Sequence, residues 1–383
     1  MATPAQSPTQ QGTQKPSPLF WLSVLVFPIV DTLILLFGKL PFFFPNPVAP
    51  VGPHPDARDV RAMNVLITGA NSGIGLAMTK DLFLRGATVT MACRSSTKAE
   101  KARQEILSQI QSESTKDADS RLLVASLDTS SFANIREFVK NYVTTLDGRK
   151  VDLVYLNAGI GGPSTTDNLL TEDGFEMTYQ VNFLGHFLLL YLLRSHLTDE
   201  ARIISTSSAA ILLGSSFNDF TTSQVKGRLD PGFHFKAAPS SSRKGPDAYH
   251  DATVYGTTKT MQLVMSRAIN LKAASNGSKR IGLAFHPGLV STSFFDNSAD
   301  MRSFTIAQFA GKIEGVFGAR PENSAKQPVF LGLVKERGLG KREGWSKIWM
   351  RGVPFTSVVD TFDTEKFWQR WCADAEIPAD WSI

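Results

Sequence analysis

Six short apolar runs, each separated from the next by enough chain for a helix, constrain this sequence more than any other feature. They are Asn64 to Thr68, Ala87 to Cys93, Leu122 to Leu127, Val151 to Leu156, Arg202 to Thr206 and Ile281 to Phe285. The apolar character is continuous rather than alternating, which is the pattern of strands covered on both faces. Strands that alternate with helical stretches join in parallel through crossover helices, so the expected fold class is α/β with a doubly wound parallel sheet. At 383 residues and 42% hydrophobic content the chain can bury such a core. No internal repeat competes with this arrangement.

The regions before the first run have a different character. Residues 1–18 are rich in Gln, Thr, Ser and Pro, carry a charge only at Lys15, and read as a disordered leader. Residues 19–44 are almost wholly apolar, and a bilayer-spanning helix needs about 20 such residues. A cleaved signal peptide fits poorly, because the run is too long and no small-residue cleavage site follows it. An extra core helix and a membrane anchor remain, with the anchor expected. Asp31 in the middle would cost roughly 2.5–3.5 kcal/mol in a bilayer centre, so a span and a helix lying in one leaflet both stay open. Lys39, Arg58 and Arg61 follow the segment and Lys15 precedes it, which places the downstream domain on the cytosolic side of a membrane, with the endoplasmic reticulum expected. Residues 45–60 form a Pro-rich linker, 61–340 the catalytic domain and 341–383 a C-terminal extension.

Charge and cysteine content exclude several function classes. The formal net charge is +5, without a block of five like charges, the densest cluster being Lys335-Glu336-Arg337 followed by Lys341-Arg342. That leaves an anionic ligand or membrane surface possible and gives no footprint for nucleic acid. Cys93 and Cys372 have no metal-type pairing and read as reduced thiols, and no metal site is expected.

The first run leads straight into Thr68-Gly69-Ala70-Asn71-Ser72-Gly73-Ile74-Gly75, followed by a helical pattern over Leu76 to Phe83. Glycines there allow a tight turn and close approach of a pyrophosphate, whose charge meets free N–H groups at the helix start. The three-then-one glycine spacing resembles the T-G-x-x-x-G-x-G motif of the short-chain dehydrogenase/reductase family. The resemblance extends from about Asn64 to about Leu333 and implies a Rossmann-type domain with Gly69, Ser72, Gly73, Ile74 and Gly75 at the cofactor. The second run ends in Cys93-Arg94-Ser95, with no carboxylate to bind a ribose 2′-hydroxyl. Arg94 suits a 2′-phosphate, so NADP(H) is expected over NAD, although a merely solvated arginine would look the same. Asp128 resembles the family's adenine-binding aspartate and could equally cap the helix that starts near Phe132. Asn157-Ala158-Gly159 resembles the N-A-G motif that lines the cofactor site.

Tyr255-Gly256-Thr257-Thr258-Lys259 puts a phenol and an ammonium at i and i+4, on one helix face. A phenol with an ordinary pKa near 10 is a poor proton shuttle at neutral pH, and a nearby cation lowers it. The pair thus reads as a tuned general acid/base. The resemblance adds Asn182, as holder of a water in the proton relay, and Ser208, with Ser207 as the alternative serine. It implies that Ser208 hydrogen-bonds the substrate oxygen while Tyr255 protonates it, and that Lys259 also holds the nicotinamide ribose. Pro287, Gly288, Val290 and Thr292 resemble the family's P-G motif beside the carboxamide. His186 has no second histidine or carboxylate at ligand spacing and reads as a helix residue in the domain interior.

Two regions depart from the family pattern. Ser208 and Tyr255 lie farther apart than is usual, which implies an insertion over 212–254 carrying Phe217, Phe220, Phe233 and Phe235. Residues 293–317 stand where the family has a substrate lid and are also Phe-rich. Aromatic loops over the site suit a bulky lipophilic substrate such as a steroid, retinoid, polyketide or terpenoid. The resemblance is greatest to membrane-associated retinol- and hydroxysteroid-dehydrogenase-like members. A tailoring reductase of secondary metabolism and a non-catalytic NADP-binding scaffold remain as alternatives, and a homo-oligomer is possible. The extension contains Trp345, Trp349, Trp368, Trp371 and Trp381, which would either meet a bilayer interface or cover a sheet edge.

Overall fold

A computed structural model describes residues 57–109, 115–162, 170–212, 251–288, 290, 320–335, 339, 348–350, 353–354 and 363–383. All of them belong to the unit Pro45–Ile383. The leader, the 19–44 segment, most of the linker, the bulk of the 212–254 insertion, the 293–317 lid and Thr292 lie outside the described residues. Among the described residues no helix is long and apolar enough to cross a membrane.

The strands are β1 Asn64–Thr68, β2 Thr88–Cys93, β3 Leu122–Ser126, β4 Val151–Leu156, β5 Leu197–Thr206 and β6 Ile281–Phe285. Two short strands follow, β7 Ile348–Met350 and β8 Val353–Pro354. The sheet order is β3-β2-β1-β4-β5-β6-β7-β8, parallel throughout except for the final β7–β8 pair. The longer helices are α1 Gly73–Leu84, α2 Ser96–Ser108, α3 Thr115–Arg121, α4 Phe132–Leu146, α5 Gly185–Leu193, α6 Asp251–Asn276, α7 Pro321–Leu333 and α8 Thr364–Asp374.

Successive side chains of a strand point to opposite faces, and here each face has its own apolar cluster. Leu66, Val154, Ile203 and Ala284 pack on one side with residues of α4, α5, α6 and α8. Val65, Ile67, Leu153, Tyr155, Ile204 and Leu283 pack on the other with residues of α1, α2 and α7. Burial on both faces explains the continuous apolar runs. The chain runs outward from β1 to β3 and then returns to β4, so strand order reverses between β1 and β4. In sheets of this kind a crevice opens beyond the carboxyl ends of the strands at that reversal.

The sequence expectations need three adjustments. β5 begins at Leu197 rather than Arg202, because a polar stretch containing the exposed Asp199 and Glu200 continues the strand past the apolar run, with a register shift opposite Val151 and Leu153. Helix α4 is capped by Ser131, whose hydroxyl accepts from Asn134 N, so Asp128 is not its cap. In the C-terminal extension, β7 extends the sheet at β6, whereas Trp368, Trp371 and Trp381 are buried against α5 and so take no part in an interfacial belt. Trp371 lies 4.5 Å from Phe183 between ring centroids, and Trp381 lies 5.3 Å from Phe187. Cys93 and Cys372 are free and buried, and burial pushes both thiols up to about 11.

Candidate active site

The turn after β1 is shaped by close backbone approach. Gly69 has φ +66° and Gly73 φ +53°, both in the left-handed region that favours glycine. A Cβ at Gly69 would sit 2.9 Å from the Ala158 Cα, and one at Gly75 would collide with the Gly69 carbonyl oxygen and sit 2.6 Å from Asn157 Nδ2. Helix α1 opens without a side-chain cap from Ser72 and without an acidic residue in its first turn. A helix start without such a cap or acidic side chain suits an anion. Such a cradle fits the pyrophosphate of a dinucleotide, with Ser72, Gly73, Ile74 and Gly75 around it.

Thr68, at the end of β1, holds this turn to the loop after β4. Its hydroxyl oxygen accepts from Asn157 N and Ala158 N, each at 2.9 Å. The Asn157 carboxamide donates to the Thr68 carbonyl at 3.1 Å and accepts from Thr206 Oγ1 at 3.3 Å. The Asp128 carboxylate accepts from Ser130 N at 2.9 Å and from its hydroxyl at 2.6 Å, while Asp128 N donates to Asn134 Oδ1. Arg94 is exposed just past the end of β2, and the neighbouring Ser95 hydroxyl is occupied in capping α2.

Asn182 sits in a π turn over Gln180–Leu184 that runs into α5. Such a turn shifts the helical hydrogen-bond ladder and is frequent at functional sites. The Asn182 carbonyl accepts from Gln262 Nε2 at 2.7 Å and lies 3.1 Å from His186 Nδ1. Its side chain clamps Ile160 from both sides, accepting from Ile160 N at 2.7 Å and donating to Ile160 O at 2.9 Å, with Thr258 Oγ1 at 3.3 Å. Gly185 permits this packing, because a Cβ there would meet the Thr129 carbonyl oxygen.

Tyr255 and Lys259 lie in α6, following β5. Lys259 is buried, its Nζ donates to Thr206 O at 2.8 Å, and that nitrogen is 5.3 Å from the centre of the Tyr255 ring. Burial lowers the Lys259 pKa to about 7. The two serines differ sharply. Ser207 is buried and donates to the Lys259 carbonyl at 2.8 Å, whereas Ser208 is half-buried, with its hydroxyl accepting from Ala210 N at 3.2 Å. Tyr255 is half-buried as well. Beyond β6, Pro287 and Gly288 are half-buried and Val290 is buried. Gly159 ties the two groups together: a Cβ on it would be 3.0 Å from Asn182 Oδ1 and 3.6 Å from Lys259 Nζ.

Two residues in this region, Thr206 and Gln262, stand out only in three dimensions, and His186, read from the sequence as an interior helix residue, joins them. Thr206, Gln262 and His186 hold Lys259 and Asn182 through contacts between distant parts of the chain. His186 is fully buried, and burial lowers its pKa to about 4. Among the described residues no cluster of His, Cys, Asp or Glu could hold a metal ion.

A family model described as short chain dehydrogenase matches residues 63–219. Mouse retinol dehydrogenase 12 is 32% identical over 237 residues, which cover 61% of this chain and 63% of that protein, so the match spans less than two thirds of the relative. Human retinol dehydrogenase 13 is 29% identical over 288 residues, covering 74% of this chain and 76% of the relative. In fold, the chain is similar to an uncharacterized protein from Mycobacterium paratuberculosis, with a TM-score of 0.56 at 22% identity over 85% of this chain and 98% of that one.

Proposed function

As this chain belongs to the short-chain dehydrogenase/reductase family, we propose that it is an NADP(H)-dependent oxidoreductase that interconverts a carbonyl and an alcohol on a lipophilic substrate. The observation that carries the reading is the disposition of Tyr255, Lys259 and Ser208. Lys259 is anchored from behind by Thr206 O, beside the ring of Tyr255, while the half-buried Tyr255 and Ser208 remain at the surface of the site. A protonated Lys259 stabilises the Tyr255 phenolate and brings the phenol closer to useful acidity near neutral pH. Tyr255 then exchanges a proton with the substrate oxygen, and Ser208 donates a hydrogen bond to that oxygen. Ser207 is committed to the Lys259 carbonyl, which favours Ser208 in this role.

A bound nicotinamide nucleotide supplies the hydride. The glycine turn and the uncapped start of α1 suit its pyrophosphate, Asp128 its adenine, and Asn157, Ala158 and Gly159 the floor beneath it. Lys259 would also hold the nicotinamide ribose, and Pro287, Gly288, Val290 and Thr292 its carboxamide. Arg94, exposed after β2 with no carboxylate at the strand end, suits a 2′-phosphate and hence NADP(H). The likeness to retinol dehydrogenases supports a lipophilic substrate. We also assign residues 19–44 to a membrane anchor, which would bring the site to a hydrophobic substrate pool.

The test is NADPH oxidation by the full chain in detergent, offered all-trans-retinal, a ketosteroid and a small water-soluble ketone. Turnover should be greatest with the apolar carbonyls. Equal rates with all three would remove the lipophilic assignment, and NADPH binding without turnover on any would favour a non-catalytic scaffold.

A further inference from the structure

His186 is a buried titratable side chain that the proton transfer above does not use, and it touches both halves of the site. Its Nε2 lies 3.0 Å from Thr68 Oγ1 and its Nδ1 lies 3.1 Å from the Asn182 carbonyl oxygen. A carbonyl oxygen can only accept, so the ring proton belongs on Nδ1. Nε2 is then a bare lone pair, and the Thr68 hydroxyl must donate to it. That choice draws the Thr68 proton away from the Tyr155 carbonyl at 3.3 Å and leaves the hydroxyl lone pairs facing Asn157 N and Ala158 N.

The bonds form a closed circuit. From Asn157 and Ala158 it passes through Thr68 and His186 to the backbone of Asn182, whose side chain returns to Ile160 at both its N–H and its carbonyl. The loop 157–160 is therefore gripped at both ends by a path through one imidazole. Gly159, in the middle of that loop, lies against Lys259 Nζ. Burial keeps the ring neutral at ordinary pH, so the donor order does not switch.

We propose that His186 is a positioning residue which, as its Nδ1–H tautomer, closes a hydrogen-bond ring that fixes the 157–160 loop between the cofactor cradle and Lys259. The two nitrogens have separable tasks. Nε2 orders the Thr68 hydroxyl and hence the cofactor floor, whereas Nδ1 holds the Asn182 turn and hence the catalytic side.

The kinetic part of the test rests on the oxidoreductase reading; the binding and exchange parts do not. Three full-length variants separate the tasks. His186→Asn can keep a donor near the Nδ1 position, His186→Gln an acceptor near the Nε2 position, and His186→Phe keeps only bulk. Relative to wild type, His186→Phe should weaken NADPH binding, read by NADPH fluorescence, and lower kcat with all-trans-retinal, each by about five- to tenfold, the scale of a net buried hydrogen bond. His186→Gln should restore the NADPH Kd and leave kcat low, while His186→Asn should restore kcat and leave the Kd weak. Amide exchange of the peptide covering 157–160 should quicken most in His186→Phe. Wild-type values in His186→Phe, or Asn and Gln variants indistinguishable from each other, would overturn the proposal. If His186→Phe does not fold, the comparison of the Asn and Gln variants decides alone. If the wild type reduces no carbonyl, the functional reading fails while the Kd and exchange data still judge the role of His186.

Discussion

The carboxyl ends of β1 and β4 and the region where β5 meets α6 are built on opposite plans. At β1 and β4 close-packed backbone dominates: glycines admit close approach, and Thr68 and Asn157 make most of their polar contacts with neighbouring main chain. At β5 and α6 the main chain serves as an anchor behind the side chains proposed to react. Thr206 O takes the Lys259 ammonium and Lys259 O takes the Ser207 hydroxyl, while Tyr255 and Ser208 stay half-buried. On the proposed function, one region holds the cofactor still and the other presents a few atoms to it. Damage to the first should therefore appear in affinity and stability, and damage to the second in rate.

The largest effect should come from the presenting side. Tyr255→Phe should lower kcat by about 10²- to 10⁴-fold, the range of a lost general acid/base, with NADPH affinity nearly unchanged. Substantial residual turnover would break the division of labour. On the holding side, Arg94→Asp should weaken NADPH relative to NADH by about 10- to 100-fold, as expected for loss of a charge-assisted contact. An unchanged preference would mean that the 2′-phosphate is recognised elsewhere.

Gly75→Ala should act through packing, because its methyl would press on the Gly69 carbonyl and on Asn157 Nδ2. Overpacking of this kind costs about 1–3 kcal/mol, so Tm and NADPH affinity should both fall while kcat at saturating NADPH moves little. A kcat loss as large as that of Tyr255→Phe would show that the two regions are not separable.

The last effect concerns Lys259 and is read in stability rather than in rate. Its folded-state pKa of about 7 lies below its unfolded value, so between those two values the unfolded chain binds the extra proton. The folding penalty is full below about 7 and fades as pH rises toward the ordinary lysine range. Measured as Tm, wild type should gain on Lys259→Met as pH is raised from 7 to about 10. A flat difference would mean that the buried ammonium is already compensated.

The same contrast governs what could be read from the sequence. β1, β4 and β6 match their apolar runs residue for residue, because nearly every position in them is buried, Asp152 in β4 being the one charged, partly buried exception. The glycine turn was visible for a similar local reason, since strand, turn and helix are contiguous. β5 extends beyond its apolar run because its first residues continue the pairing while exposing Asp199 and Glu200. The cap of α4 fell to Ser131 because Asp128 turns its carboxylate onto Ser130 instead. β7 has three residues, too few for a periodic signal, and is defined by pairing with β6. The contact of Thr68 with His186 spans 118 positions, and nothing adjacent to either residue announces it.

The aromatic packing on α5 has a consequence for the newborn chain. The Tyr179 hydroxyl donates to the Asp374 carboxylate across 195 positions, and Phe183 and Phe187 are covered by tryptophans of similar separation. At a synthesis rate of about 5–20 residues per second, Phe183 and Phe187 would emerge roughly 10–40 s before their cover. During that interval an apolar face beside Asn182 would be open to chaperones or to neighbouring nascent chains, so the turn that carries Asn182 would be among the last parts of the domain to become secure on the ribosome.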